Sequence, residues 1–90
     1  MARRCLVSGR VQGVYYRASA AQRARAAGIT GHARNLPDGR VEVLACGSDG
    51  AVDAFIAWLW IGPAAAKVVH VAAEAIELER EQLPQEFRTA

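Results

Sequence analysis

Apolar and polar residues alternate from the start of the chain. Cys5 and Val7 fall on one side and Arg4 and Ser8 on the other, so residues 3–8 predict a β-strand. After a loop, residues 16–27 change to a helical rhythm, with Gly28 as the stop. Ala20, Ala24 and Ala27 give this helix a thin inner face, which should lie close to a sheet. Alternation returns at residues 30–35 and again at 40–46. Between them stands Leu36-Pro37-Asp38-Gly39, where proline fixes φ and Asp-Gly accepts a reversed backbone. Residues 30–46 therefore predict a hairpin. Val52, Phe55, Ile56 and Leu59 then recur at i, i+3, i+4 and i+7, the stripe of a core-facing helix. Ser48 or Asp49 caps it, and Gly62-Pro63 ends it. A fourth strand opens at residues 67–71 and can run on toward Leu78, and residues 86–89 can add a short fifth strand at an edge.

The order β-α-β-β-α-β predicts an α+β fold, a ferredoxin-like sandwich with an antiparallel sheet of order 4-1-3-2 and two helices on one face. With right-handed crossovers, strands one and two run the same way with strand three between them. Their C-terminal ends share one rim. The loop that leaves strand one and Asn35, which ends strand two, are thereby expected at one site.

That loop carries the densest chemical signal: Gly9-Arg10-Val11-Gln12-Gly13-Val14-Tyr15-Tyr16-Arg17. Glycines let backbone N–H groups converge on a ligand, and a following helix aims its free N–H groups and positive dipole end at the same place. Arg17 adds a fixed charge and a planar donor fork. The arrangement suits a small oxyanion.

Composition narrows the classes without naming a partner. A chain of 90 residues makes one domain, able to bury roughly 60–65% of the surface its unfolded form exposes. Its best apolar run, Ala51 to Ile61, is broken by Asp53 and too short to span a bilayer. Nothing after Met1-Ala2-Arg3-Arg4 resembles a secretory leader, so no membrane partner and a cytoplasmic location are expected. A formal charge of +2 falls short of the dense basic stripe of a nucleic-acid binder. Arg17, Arg23, Arg25, Arg34 and Arg40 cluster in the first half, and Glu74, Glu77, Glu79, Glu81 and Glu86 in the second. That asymmetry fits a positive site facing a small anion, and equally an ordinary solvated surface.

Cys5 and Cys46 could pair in principle. Alternation puts Cys5 with the core and Cys46 beside Glu42 on the other face of the sheet, whereas a disulfide needs Cβ atoms only ~4 Å apart. Free thiols are expected. His32 and His70 have no cysteine or carboxylate at ligand spacing, so no metal site is expected.

With these residues placed, the chain resembles the acylphosphatases. The family pattern G-[RK]-V-Q-G-V-x-[FY]-R is matched by Gly9 to Arg17, and a second pattern, G-x-x-x-N before a D-G turn and V-x-V, by Gly31, Asn35, Asp38, Gly39, Val41 and Val43. Trp58-Leu59 before Gly62-Pro63 also fits, so the likeness covers nearly the whole of residues 1–90, a single acylphosphatase-like domain. The resemblance implies hydrolysis of the carboxyl–phosphate anhydride of small acyl phosphates, with no cofactor or metal. It implies that Arg17 and the backbone N–H groups of Val11, Gln12, Gly13, Val14 and Tyr15 hold the phosphoryl group, and that Asn35 holds the attacking water. Three departures stand out: His32 where an aromatic is frequent, Ala33 where a larger aliphatic is usual, and apolar Trp60-Ile61 where charge or polarity is usual. The last exposes apolar area at a helix end and gives an otherwise monomeric protein a surface for weak self-association.

Plainer readings compete at each residue. Arg17 could pair with a carboxylate, and Asn35 could cap the hairpin turn. Tyr16 is expected in the core and Tyr15 at the pocket mouth. Two other classes are a non-catalytic module binding phosphate or carbamoyl phosphate within a larger assembly, and an RNA-binding sheet. The second needs exposed aromatics, where the third strand offers Glu42, Leu44 and Cys46.

Overall fold

The computed structural model describes residues 1–90. Its elements are β1 (Ala2–Arg10), α1 (Tyr16–Ala26), β2 (Thr30–Asn35), β3 (Val41–Cys46), α2 (Asp49–Leu59), β4 (Lys67–Ala75), a 3-10 turn at Arg80–Gln82, and β5 (Phe87–Thr89). The sheet order is β4-β1-β3-β2-β5. β1 pairs antiparallel with β3 and β4, and β3 antiparallel with β2, so β1 and β2 point the same way. The expected order 4-1-3-2 is thus present. The fifth strand, however, lies parallel to β2, with Gly31 opposite Phe87 and Ala33 opposite Thr89, so the sheet is mixed rather than wholly antiparallel.

One face of the sheet carries the core. Cys5 and Val7 of β1, Ala33 of β2, Val41, Val43 and Ala45 of β3 and Val71 of β4 are buried with residues from both helices. From α2 these are Val52, Phe55 and Leu59, with Ile56, the fourth residue of the expected stripe, only partly buried; Ser48 Oγ caps the helix by accepting from Ala51 N–H. From α1 they are Tyr16, Ala20, Ala21 and Ala24. Ala27 was expected on this inner face but is exposed, because α1 ends at Ala26 and Gly28 then turns the chain at φ 72°.

Two glycines serve strand contact. A Cβ at Gly31 (φ 142°) would stand 1.8 Å from the Leu44 carbonyl oxygen, and one at Gly9 (φ 124°) 2.2 Å from that of Lys67. Gly9 sits where the β1–β4 register shifts, a β-bulge, so the reason for glycine there is the close approach of β4. Gly9 thus serves the β1–β4 contact rather than the anion loop expected from its motif.

Candidate active site

The loop between β1 and α1 is held from inside by its apolar side chains. Val11, Val14 and Tyr16 are buried, and Tyr16 Oη donates to the Leu59 carbonyl at 2.6 Å. Burial, with Cys5 nearby, pushes the Tyr16 phenol well above its ordinary range, so it stays neutral and keeps that bond. Gly13 and Tyr15 are exposed, and Gln12 is half-buried. Gly13 (φ 75°) and Tyr15 (φ 63°) both take left-handed backbone, and Tyr15 is the one residue other than glycine with positive φ. A tyrosine there is strained by about 1–2 kcal/mol.

This geometry leaves donors unused. None of the N–H groups of residues 11–15 donates to an acceptor within the chain. Directly after them begins α1, with no acidic residue in its first turn and no side-chain cap. The positive end of the helix and the loop donors are therefore unneutralised by the protein itself.

Arg17 lies in the first turn of α1. Its Nη1 donates to the main-chain oxygen of Ala90 at 3.0 Å, and no aspartate or glutamate side chain pairs with it. Asn35 ends β2 with its side chain exposed and free of hydrogen bonds to the chain. The hairpin cap that Asn35 could have supplied is made by Asp38, whose Oδ1 accepts from Arg40 N–H at 3.1 Å and Oδ2 from Arg40 Nε at 2.8 Å. The Arg40 backbone N–H, helped by its guanidinium, holds the Asp38 carboxyl below the usual carboxylate range.

Arg17 and Asn35 line one pocket of about 380 Å³, together with Val11, Gly13, Tyr15, Tyr16, Ala18 and Thr89. Of the residues assigned to the anion loop, Gln12 and Val14 do not line it: Val14 is turned into the core, and the Gln12 amide reaches the β2–β3 turn. Thr89 carries no signal in the sequence, because β5 reaches the pocket through its pairing with β2. No aspartate, glutamate, histidine or cysteine lines the pocket, so its chemistry rests on fixed donors, a guanidinium and a carboxamide.

Behind Asn35, the opposite face of the sheet carries an ionic cluster. Glu42 is 5% exposed, although alternation puts it on the helix-free face. Its carboxylate lies 3.1 Å from Arg4 Nε, 2.9 Å from His32 Nε2 and 2.9 Å from Arg34 Nε. Burial works to raise the Glu42 pKa, but hydrogen bonds from His32, Arg34 and Arg4 outweigh it and leave the group below its ordinary range. His32 and Arg34 flank Ala33 in the strand that presents Asn35, so the cluster ties that strand to Glu42 of β3. Cys46 is buried on this same face and Cys5 in the core; both are free thiols.

An open ferredoxin-like α+β sheet with two helices on one face, and a rim pocket lined by Arg17 and Asn35, defines the class. The family model described as Acylphosphatase matches residues 3–89. An acylphosphatase of Chromohalobacter salexigens is 58% identical over 77 residues, covering 82% of this chain and 86% of that protein. Among solved structures, an acylphosphatase from Coxiella burnetii superposes with a TM-score of 0.91 at 37% identity, covering 99% of this chain and 90% of that one. One from Bacillus subtilis gives 0.91 at 31% identity, with 99% and 97% covered. The chain belongs to the acylphosphatase family and is an enzyme of that hydrolase class.

Proposed function

We propose that the protein hydrolyses small acyl phosphates to carboxylate and phosphate, and that Arg17 and Asn35 carry the reaction. The observation behind this reading is the shared pocket: a guanidinium and an unengaged carboxamide line one volume with Val11, Gly13 and Tyr15 of a loop whose N–H groups are free. The phosphoryl oxygens are held by Arg17 and the N–H groups of Val11 to Tyr15. Asn35 orients a water in line with the anhydride bond, accepting one of its protons in a hydrogen bond. The water oxygen bonds to phosphorus as the P–O bond to the acyl group breaks, and the electron pair leaves with the carboxylate. The water's proton passes to a phosphoryl oxygen.

The absence of an acid–base pair from the lining fits the substrate. Phosphoryl transfer proceeds through a loose transition state in which positioning and charge stabilisation dominate. A carboxylate leaves readily without a proton. Residues 1–90 act as one domain in this scheme, in the cytoplasm, with exposed Trp60 and Ile61 available for weak self-association. No helix is long and apolar enough to cross a membrane. Release of phosphate from a synthetic acyl phosphate, unaffected by a chelator, is the expected result. Phosphate binding without turnover would instead favour a non-catalytic binding module.

A further inference from the structure

Gln12 sits in the middle of the anion loop, but its side chain serves another segment. Nε2 donates to the Leu36 carbonyl at 2.9 Å and to the Arg40 carbonyl at 3.0 Å, across 24 and 28 residues of sequence. Both carbonyls belong to the base of the β2–β3 turn. There Leu36 N–H donates to the Arg40 oxygen at 2.8 Å, and Gly39 N–H to the Leu36 oxygen at 3.1 Å. One amide therefore spends both its protons on the two oxygens that close the turn. The reverse orientation is excluded chemically, since it would set the amide oxygen against two carbonyl oxygens.

Leu36 directly follows Asn35, whose backbone forms the last rung of the β2–β3 ladder, opposite Val41. The Gln12 amide thus spans from the loop that offers the free N–H groups to the residue next to the carboxamide. Asn35 has no hydrogen bond of its own to fix its distance from that loop. We propose that Gln12 is a positioning residue for hydrolysis, its side-chain amide fixing the separation between the anion loop and the water held by Asn35. This inference rests on the functional reading above. Removing the amide donors leaves the loop N–H groups and Arg17 in place, so anion affinity survives. What is lost is the alignment of water and phosphorus, where a misplacement of about 1 Å costs on the order of 100-fold in rate.

The test uses Gln12→Met, which keeps length and neutrality without donors, and Gln12→Glu, which regains one O–H donor when protonated. Steady-state turnover of a synthetic acyl phosphate and competitive inhibition by inorganic phosphate are measured on the full chain, with folding checked by circular dichroism. Gln12→Met is expected to lose about 10–100-fold in kcat, with the phosphate inhibition constant changed less than about threefold. For Gln12→Glu, the ratio of its kcat to that of the unaltered protein is expected to climb as pH falls below about 5. A merely structural glutamine would not give that recovery, and it remains readable if Gln12→Met fails to fold. Wild-type kcat in either variant, a loss carried by KM and phosphate affinity alone, or a flat kcat ratio across pH overturns the proposal while the functional reading stands. An inactive unaltered protein overturns both.

Discussion

Arg17 and Ala90 are joined by a 3.0 Å hydrogen bond from Nη1 to the main-chain oxygen, and Ala90 N–H donates at 2.9 Å to the carbonyl of Ala33. Ala33 stands two residues before Asn35, so the last residue of the chain bridges the first turn of α1 to the strand that ends in the carboxamide. The guanidinium is held at the pocket by a main-chain oxygen, with no aspartate or glutamate against it.

Replacement of Arg17 by lysine should remove this bridge and the bidentate fork together, since an ammonium reproduces neither geometry. Turnover of an acyl phosphate is expected to fall by about 100–1000-fold, the cost of losing one fixed donor at a developing charge. Inhibition by inorganic phosphate should weaken in parallel. Thermal unfolding should shift little, because the bond is exposed. A fully active Arg17→Lys would remove the residue from the site.

Glu42→Gln tests the cluster behind β2. The folded-state pKa of Glu42 is depressed, so its stabilisation is present above the ordinary carboxylate range and is lost as pH falls through the lower folded value. Near neutral pH the substitution should destabilise by about 1–3 kcal/mol, the scale of hydrogen bonds to a charged group. The gap between the two proteins in denaturant titrations should narrow on acidification below about pH 4. A gap that is constant from neutral to acid pH would show that the charge of Glu42 plays no part.

Gly31→Ala and Gly13→Ala separate the two uses of glycine in the motifs. A Cβ at Gly31 meets backbone at 1.8 Å, whereas one at Gly13 meets nothing within 4 Å. Gly31→Ala should cost roughly 2–5 kcal/mol, combining overpacking with an unfavourable φ. Gly13→Ala should cost only about 1–2 kcal/mol, from φ alone, while weakening phosphate binding. Equal destabilisation of the two would contradict this division.

Strand alternation, the Asp38-Gly39 turn and the α2 stripe were legible in the sequence because each is local, repeating within a few residues. The rim shared by β1 and β2 followed from topology alone. What stayed hidden depends on neighbours distant in the chain. Phe87–Thr89 is too short to declare its parallel partner, and it brings Thr89 to the pocket only by lying against β2. Glu42 alternates like an exposed residue, and only the arrival of Arg4, His32 and Arg34 from adjacent strands covers it. Gly9 stands in the loop motif, yet its backbone is dictated by β4, more than fifty positions later. The Gln12 side chain gives no sequence signal of its own, since its acceptors are main-chain oxygens of another turn.

The most direct measurement of the central claim is the kinetic comparison of Asn35→Ala with the unaltered protein on one acyl phosphate, with the phosphate inhibition constant determined for each. In Asn35→Ala, kcat is expected to fall by about 100-fold or more, while phosphate binds as before, because the anion is held by Arg17 and the loop. Loss of phosphate affinity along with turnover, or turnover left intact, would contradict it.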